Sequence, residues 1–272
     1  MQSRSGEPGR PVDGIIVVTD PAIDRGVMVT FTAADDLRGA RFVGADLTGA
    51  VMRGVDVAGL DLDSPWLLDG DSSLVVNGVD VTGFVEAELN RRFPGREQRR
   101  AHDPEGLRAA WVVLQQAWSA AVQRVATMPA GSVDRSVEGE WSFAQTLRHL
   151  VLATDTWFGR AVLEIEQPFH PYGQAMPEAA DDGLDLSLFV TEAPPYDEVL
   201  KVRAGRVAMI TNFLATVTPE QLATVRKNPW APQYPETTLS CLHVILGEEW
   251  EHLRYALRDF DLLSRGETPP AD

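Results

Sequence analysis

From Asp103 onward the chain alternates long stretches of helical periodicity with polar, proline-bearing breaks. Leu107, Trp111, Leu114, Trp118, Val122 and Val125 recur at three- and four-residue steps, which predicts a helix with one apolar face ending before Pro129. Asp103-Pro104-Glu105 supplies its start, an N-cap followed by proline at the first helical position. Ser142-x-x-Gln145 is a capping box and opens a second helix. Trp141 stands just before that cap, and the helix runs through Leu147, Leu150, Val151, Trp157 and Val162 to about Glu166. A third helix is predicted over about Asp197 to Val217, with Val199, Val202, Met209, Ile210 and Phe213 inside. Thr218-Pro219-Glu220-Gln221 caps a short extra turn, and Asn228 to Pro235, with three prolines, is loop. The fourth helix spans Thr238 to Leu263 and carries Leu242, Ile245, Leu253, Ala256, Phe260 and Leu263. Between helices two and three, Pro168 to Pro195 has no sustained helical pattern. A gap of that length fits a crossover, which lets the second and third helices run parallel. The expected fold is mainly α: a four-helix bundle with one long crossover and a small N-terminal β segment.

The N-terminal part obeys another period. Leu37, Phe42, Leu47, Met52, Val57 and Leu62 recur every fifth residue, with Ala40, Ala45, Ala50, Val55 and Leu60 each standing two residues before a repeat centre. Gly39, Gly44, Gly49, Gly54 and Gly59 each follow a centre by two. Neither a helix nor an ordinary strand has a period of five. The pattern resembles the pentapeptide-repeat family, which implies a right-handed quadrilateral β-helix with the centre and the small residue before it pointing inward. Six repeats make about one and a half coils, too little to bury a core alone. The stretch is therefore expected to lean on the flanking segments Gly14 to Thr32 and Leu74 to Val81. Asn77-Gly78 inside the latter marks a hairpin. Phe84 to Phe93 reads as a short helix and Pro94 to His102 as a charged linker, which divides the chain into residues 1–95 and 96–272.

Charge and cysteine content narrow the function. The net charge of −16 disfavours a nucleic-acid partner, because phosphate binding needs clustered positive charge. The longest apolar runs, such as Gly14-Ile15-Ile16-Val17-Val18, are too short to span a bilayer, so no membrane segment is expected. Cys241 is the single cysteine and cannot form an intrachain disulfide, which points to a cytoplasmic protein.

One combination of residues carries chemistry. Glu248 and His252 are four apart on the fourth helix, so their side chains stack on one face. His149 lies on the second helix. Three such ligands from facing helices would leave a zinc-like ion one open position, the catalytic rather than the structural arrangement. A single helical histidine is more commonly an ordinary packed residue, and His149 shares a face with Gln145, Leu152 and Thr156. A carboxylate bordering an apolar stripe, however, is costly to bury without a partner. Glu249, three residues from His252, is the alternative ligand. His243 is out of phase with His252, His170 belongs to the crossover, and His102 to the linker. Cys241 reads as a small buried apolar residue rather than a nucleophile.

The Trp-Ser…Leu-x-His-Leu second helix and the Glu-x-x-x-His fourth helix resemble the DinB-like (YfiT-like) superfamily. The run Glu248-Glu249-Trp250-Glu251-His252-Leu253-Arg254-Tyr255 is similar to its actinobacterial branch. Many members hold a divalent metal through three histidines, whereas the mycothiol-dependent maleylpyruvate isomerase branch uses His, Glu and His. By that second pattern the resemblance implies a metal, zinc or nickel, at His149, Glu248 and His252. It further implies a transferase or isomerase that activates mycothiol or another small thiol for a small-molecule substrate, and it allows a homodimer. The alternative is a non-catalytic bundle, an interaction or structural module with a vestigial site.

Overall fold

The computed structural model describes residues 30–67, 72–181 and 183–266, together with the backbone of 11–12 and 15–16. The chain forms two compact units, Met1–Ser64 and Pro65–Asp272. Beside the boundary expected near residue 95, this division places the 74–81 hairpin and the helix after it in the second unit.

In the first unit, β1 (Pro11–Val12) pairs antiparallel with β2 (Ile15–Ile16). Most of the flank expected to support the repeats, residues 17–29, lies outside the described residues. Within the repeats every second turn is closed by a backbone hydrogen bond: Leu37 to Ala40, Leu47 to Ala50 and Val57 to Leu60. Gly39, Gly49 and Gly59 occupy the third position of those turns at φ 74°, 76° and 76°, as a type II turn requires. The carboxylates of Asp36, Asp46 and Asp56 accept the N–H groups of Arg38, Thr48 and Ala58, bracing the same three turns. The intervening turns at Gly44 and Gly54 lack both features among the described residues. A five-residue sequence period thus carries a ten-residue structural one. The repeat centres stay about half exposed, from 44% at Leu37 to 58% at Phe42, because so few coils leave the interior without stacked neighbours.

The second unit opens with the hairpin of β3 (Val75–Val76) and β4 (Val79–Asp80). Asn77 and Gly78, both at positive φ, make its two-residue turn. Helix α1 (Thr82–Arg92) follows. The segment expected as a charged linker is instead a turn of 3₁₀ helix, Arg96–Arg100, with Arg96 and Arg99 buried. Those two charges are internal because they are paired. Arg96 donates to Glu86 and Asn90 on α1 and to Glu251 on the last helix, at 3.1, 2.9 and 3.1 Å. Arg99 donates to Glu86 at 3.0 Å.

Four long helices make the core: α2 (Pro104–Ala126), α3 (Phe143–Thr154), α4 (Tyr196–Thr216) and, after the short α5 (Pro219–Leu222), α6 (Thr238–Arg265). Strands β5 (Val225–Lys227) and β6 (Pro235–Thr237) form a hairpin leading into α6. The expected caps are present, with Asp103 accepting from Glu105 and Gly106 and with reciprocal capping boxes at Ser142/Gln145 and Thr218/Gln221. Trp111 bonds Thr211 and Arg108 bonds the Leu214 carbonyl, so α2 and α4 are antiparallel. Phe143 meets Phe260 and, further along, His149 meets His252, so α3 is antiparallel to α6. Phe143 also meets Tyr196, and Phe158 meets Phe213 further along, so α3 and α4 run parallel. The long crossover makes that possible. No described helix is long and apolar enough to cross a membrane.

The second helix ends earlier than its periodicity suggested. After Thr154 it widens into a π turn, Asp155–Arg160, in which the Ala161 N–H reaches the Thr156 carbonyl. Glu164, at φ 55°, then breaks it short of Glu166. The apolar residues Trp157 and Val162 continue the pattern in sequence but sit on this wider turn and beyond it.

Burial opposes ionisation of Glu86, yet Arg99 and Arg96 outweigh it and hold the carboxyl down at about 2, against an ordinary 4.5. A depressed folded-state pKa adds stability that is complete above the unfolded value and is lost as pH falls from about 4.5 towards about 2. Urea midpoints measured across that window should fall more steeply for the natural protein than for Glu86→Gln, which should be the less stable of the two at neutral pH. Parallel curves would remove the pair from the stability of the fold.

Candidate metal centre

The capping box at Ser142 fixes where α3 starts and so which of its residues face α6. Because the two helices are antiparallel, the middle of α3 meets the middle of α6. There His149, Glu248 and His252 come together, each offering one donor atom, all within 4.8 Å of one another. Glu248 Oε2 lies 3.3 Å from Nε2 of His149 and 3.3 Å from Nε2 of His252. Both histidines are buried, and Glu248 is largely so.

His149 is oriented from behind. Its Nδ1 lies 3.4 Å from the Gln174 carbonyl. A carbonyl only accepts, so this contact favours a proton on Nδ1, and a metal ion would take the lone pair of Nε2, which here faces the Glu248 carboxylate. This is the backing that metal-ligating histidines generally have. Trp141 covers the group, its ring 4.7 Å from that of His149 and 6.1 Å from that of His252. Tyr255 meets His252 edge-on at 6.0 Å.

Burial works against a charged Glu248, but the two imidazoles outweigh it and hold the carboxyl well below its usual range. The centre therefore combines one carboxylate with two nitrogen donors aimed at a common point. That donor set can hold a divalent cation.

Other candidates are placed elsewhere. Glu249 points into the bundle interior, 1% exposed, and forms an ion pair with Arg203 of α4. Burial pushes its carboxyl upward against the pull of Arg203. His243 donates from Nε2 to the Ala101 carbonyl at 2.8 Å, tying α6 to the start of α2. In His170 the ring Nδ1 accepts the Tyr172 N–H, while the backbone N–H donates to Asp155. Cys241 is fully enclosed, and burial pushes its thiol up to about 12, which removes it as a nucleophile. Arg148, which no sequence motif singles out, is buried beside His149. Its one signal was position, a charged residue within an otherwise apolar stretch of helix.

A family model described as DinB superfamily matches residues 113–256, more than half of the chain. A second, described as pentapeptide repeats, matches residues 36–64. No curated protein and no solved structure matches.

The Arg203–Glu249 pair can be told apart from the metal donors by stability. Arg203 Nη1 and Glu249 Oε2 have no hydrogen-bond partner within the protein, so the pair is only partly satisfied. Glu249→Ala would strand the Arg203 charge, and unfolding free energy should drop by about 3–5 kcal/mol. Replacing both residues with Met should recover most of that loss in the same denaturation experiment. A loss below about 1 kcal/mol for the single variant would contradict a paired, buried role.

Proposed function

The chain belongs to the DinB superfamily, and from that premise we propose that it is a divalent-metal-dependent enzyme acting on a small thiol. The observation carrying this reading is the convergence of His149, Glu248 and His252 on one point between α3 and α6. Those three residues would hold the ion, zinc or nickel by donor type. When bound, the ion supplies Lewis acidity that favours the deprotonated form of a thiol at neutral pH. The residues do the rest. Glu248 contributes the one negative charge and balances half of a dication. The Gln174 carbonyl keeps His149 in the tautomer that donates from Nε2. Trp141 shields the two imidazoles from water. A three-donor set leaves room for a substrate sulfur, and the reaction class we assign is S-transfer or thiol-assisted isomerisation, with mycothiol as the first thiol to test.

Purified without a histidine tag, the protein should contain about one divalent ion per chain by elemental analysis. His252→Ala and His149→Ala should each lose most of it, and unchanged content in both would end the assignment. Bound metal should also be released as pH falls below about 6, where protons compete for imidazole nitrogens.

The thiol step has its own measurement. In cobalt-substituted protein, a small thiol should produce a sulfur-to-metal charge-transfer band, altered or lost in Glu248→Ala. Absence of a band with mycothiol, bacillithiol, glutathione and cysteine would favour a non-catalytic bundle. The half-exposed apolar positions of the repeat coil would suit such an interaction module.

A further inference from the structure

The geometry points to Arg148 as the positioning residue of this centre, acting on His149 through the crossover; the inference rests on the metal-centre reading. Arg148 is 6% exposed, and among the described residues no carboxylate lies within ion-pair distance of it. Burying a guanidinium without a counter-ion is expensive unless its N–H groups are satisfied. Here they are taken up by backbone carbonyls of the crossover. Nε donates to Tyr172 at 3.0 Å, and Nη2 lies 3.5 Å from the Gly173 carbonyl and 3.4 Å from that of Val190. In return the Gln174 N–H donates to the Arg148 carbonyl at 3.2 Å. The residue so held is the one whose own carbonyl faces His149 Nδ1.

The loop is shaped to fit this clamp. His170 and Gly173 close a turn, Val190 N–H bonds the Pro171 carbonyl, and a Cβ on Gly173 would strike the Phe189 ring. Arg148, Leu152 and Asp155 follow one another at helical spacing and all serve the crossover. Leu152 packs with Ala179 and Leu184, and Asp155 accepts the His170 N–H at 2.9 Å. His149, one residue round the helix, faces the donors instead. Arg148 thus fixes a carbonyl rather than touching the centre, and through it the proton on His149 Nδ1.

The test uses Arg148→Met, of similar length without donors, and Arg148→Lys in case the first does not fold. Nitrogen NMR of the metal-free full-length protein reads the His149 tautomer directly. We expect Nδ1 to carry a proton in the natural protein, whatever the state of Nε2 beside Glu248, and to lose it in part in the variant, with metal affinity about 10–100-fold weaker. Phe189→Leu loosens the same loop without removing an Arg148 bond. It should leave the tautomer unchanged, which separates positioning from general destabilisation. A folded Arg148 variant with the natural tautomer and affinity within twofold would overturn the inference. If the natural protein binds no metal but the tautomer still shifts, the positioning role stands and the metal-centre reading falls.

Discussion

Of the twelve residues of α3 only Gln145 escapes burial, so the polar groups on that helix lie out of reach of bulk water. Each one kept there is costly unless a partner is built in. The crossover supplies several of those partners as main-chain groups, and just past the end of α3 Arg206 grips both oxygens of the buried Asp155. A bundle with short connections would have left this face of α3 to solvent. By running α3 parallel to α4, the fold requires a long excursion, and the excursion becomes a wall.

The same economy appears on α6, where consecutive acids meet opposite fates. Glu248 and Glu249 differ by one residue, about 100° around the helix. One turns towards two imidazoles and is held ionised. Its neighbour turns into the interior, where burial favours its protonated form and Arg203 resists. The chemistry available to each is decided by the helix rotation and not by residue type. Glu251, one residue before His252, is drawn off by Arg96, which ties α6 to the turn between α1 and α2.

Much of this was legible in the chain itself. Apolar spacing gave the four long helices, and Asp103 and Ser142 marked two of their starts, as Thr218 marked that of the short α5, because capping is local and needs only a few adjacent residues. The spacing of Glu248 and His252 was readable for the same reason. What escaped depended on contacts distant in sequence. Arg96 and Arg99 read as a solvated linker because their carboxylate partners lie on α1 and, for Arg96, also on α6. Arg148 was silent because its partners are carbonyls, which every residue has and no side chain announces. The π turn after Thr154 was hidden too, since the apolar pattern carries straight on through it.

The turns of the N-terminal coil bear on how such a segment changes length over evolutionary time. Braced turns at Asp36, Asp46 and Asp56 alternate with plainer ones at Gly44 and Gly54. Gain or loss of five residues would set two turns of the same kind side by side and rotate every later aspartate by one face. Gain or loss of ten would preserve the alternation. The decapeptide is therefore the shortest unit whose gain or loss keeps the alternation of braced and plain turns.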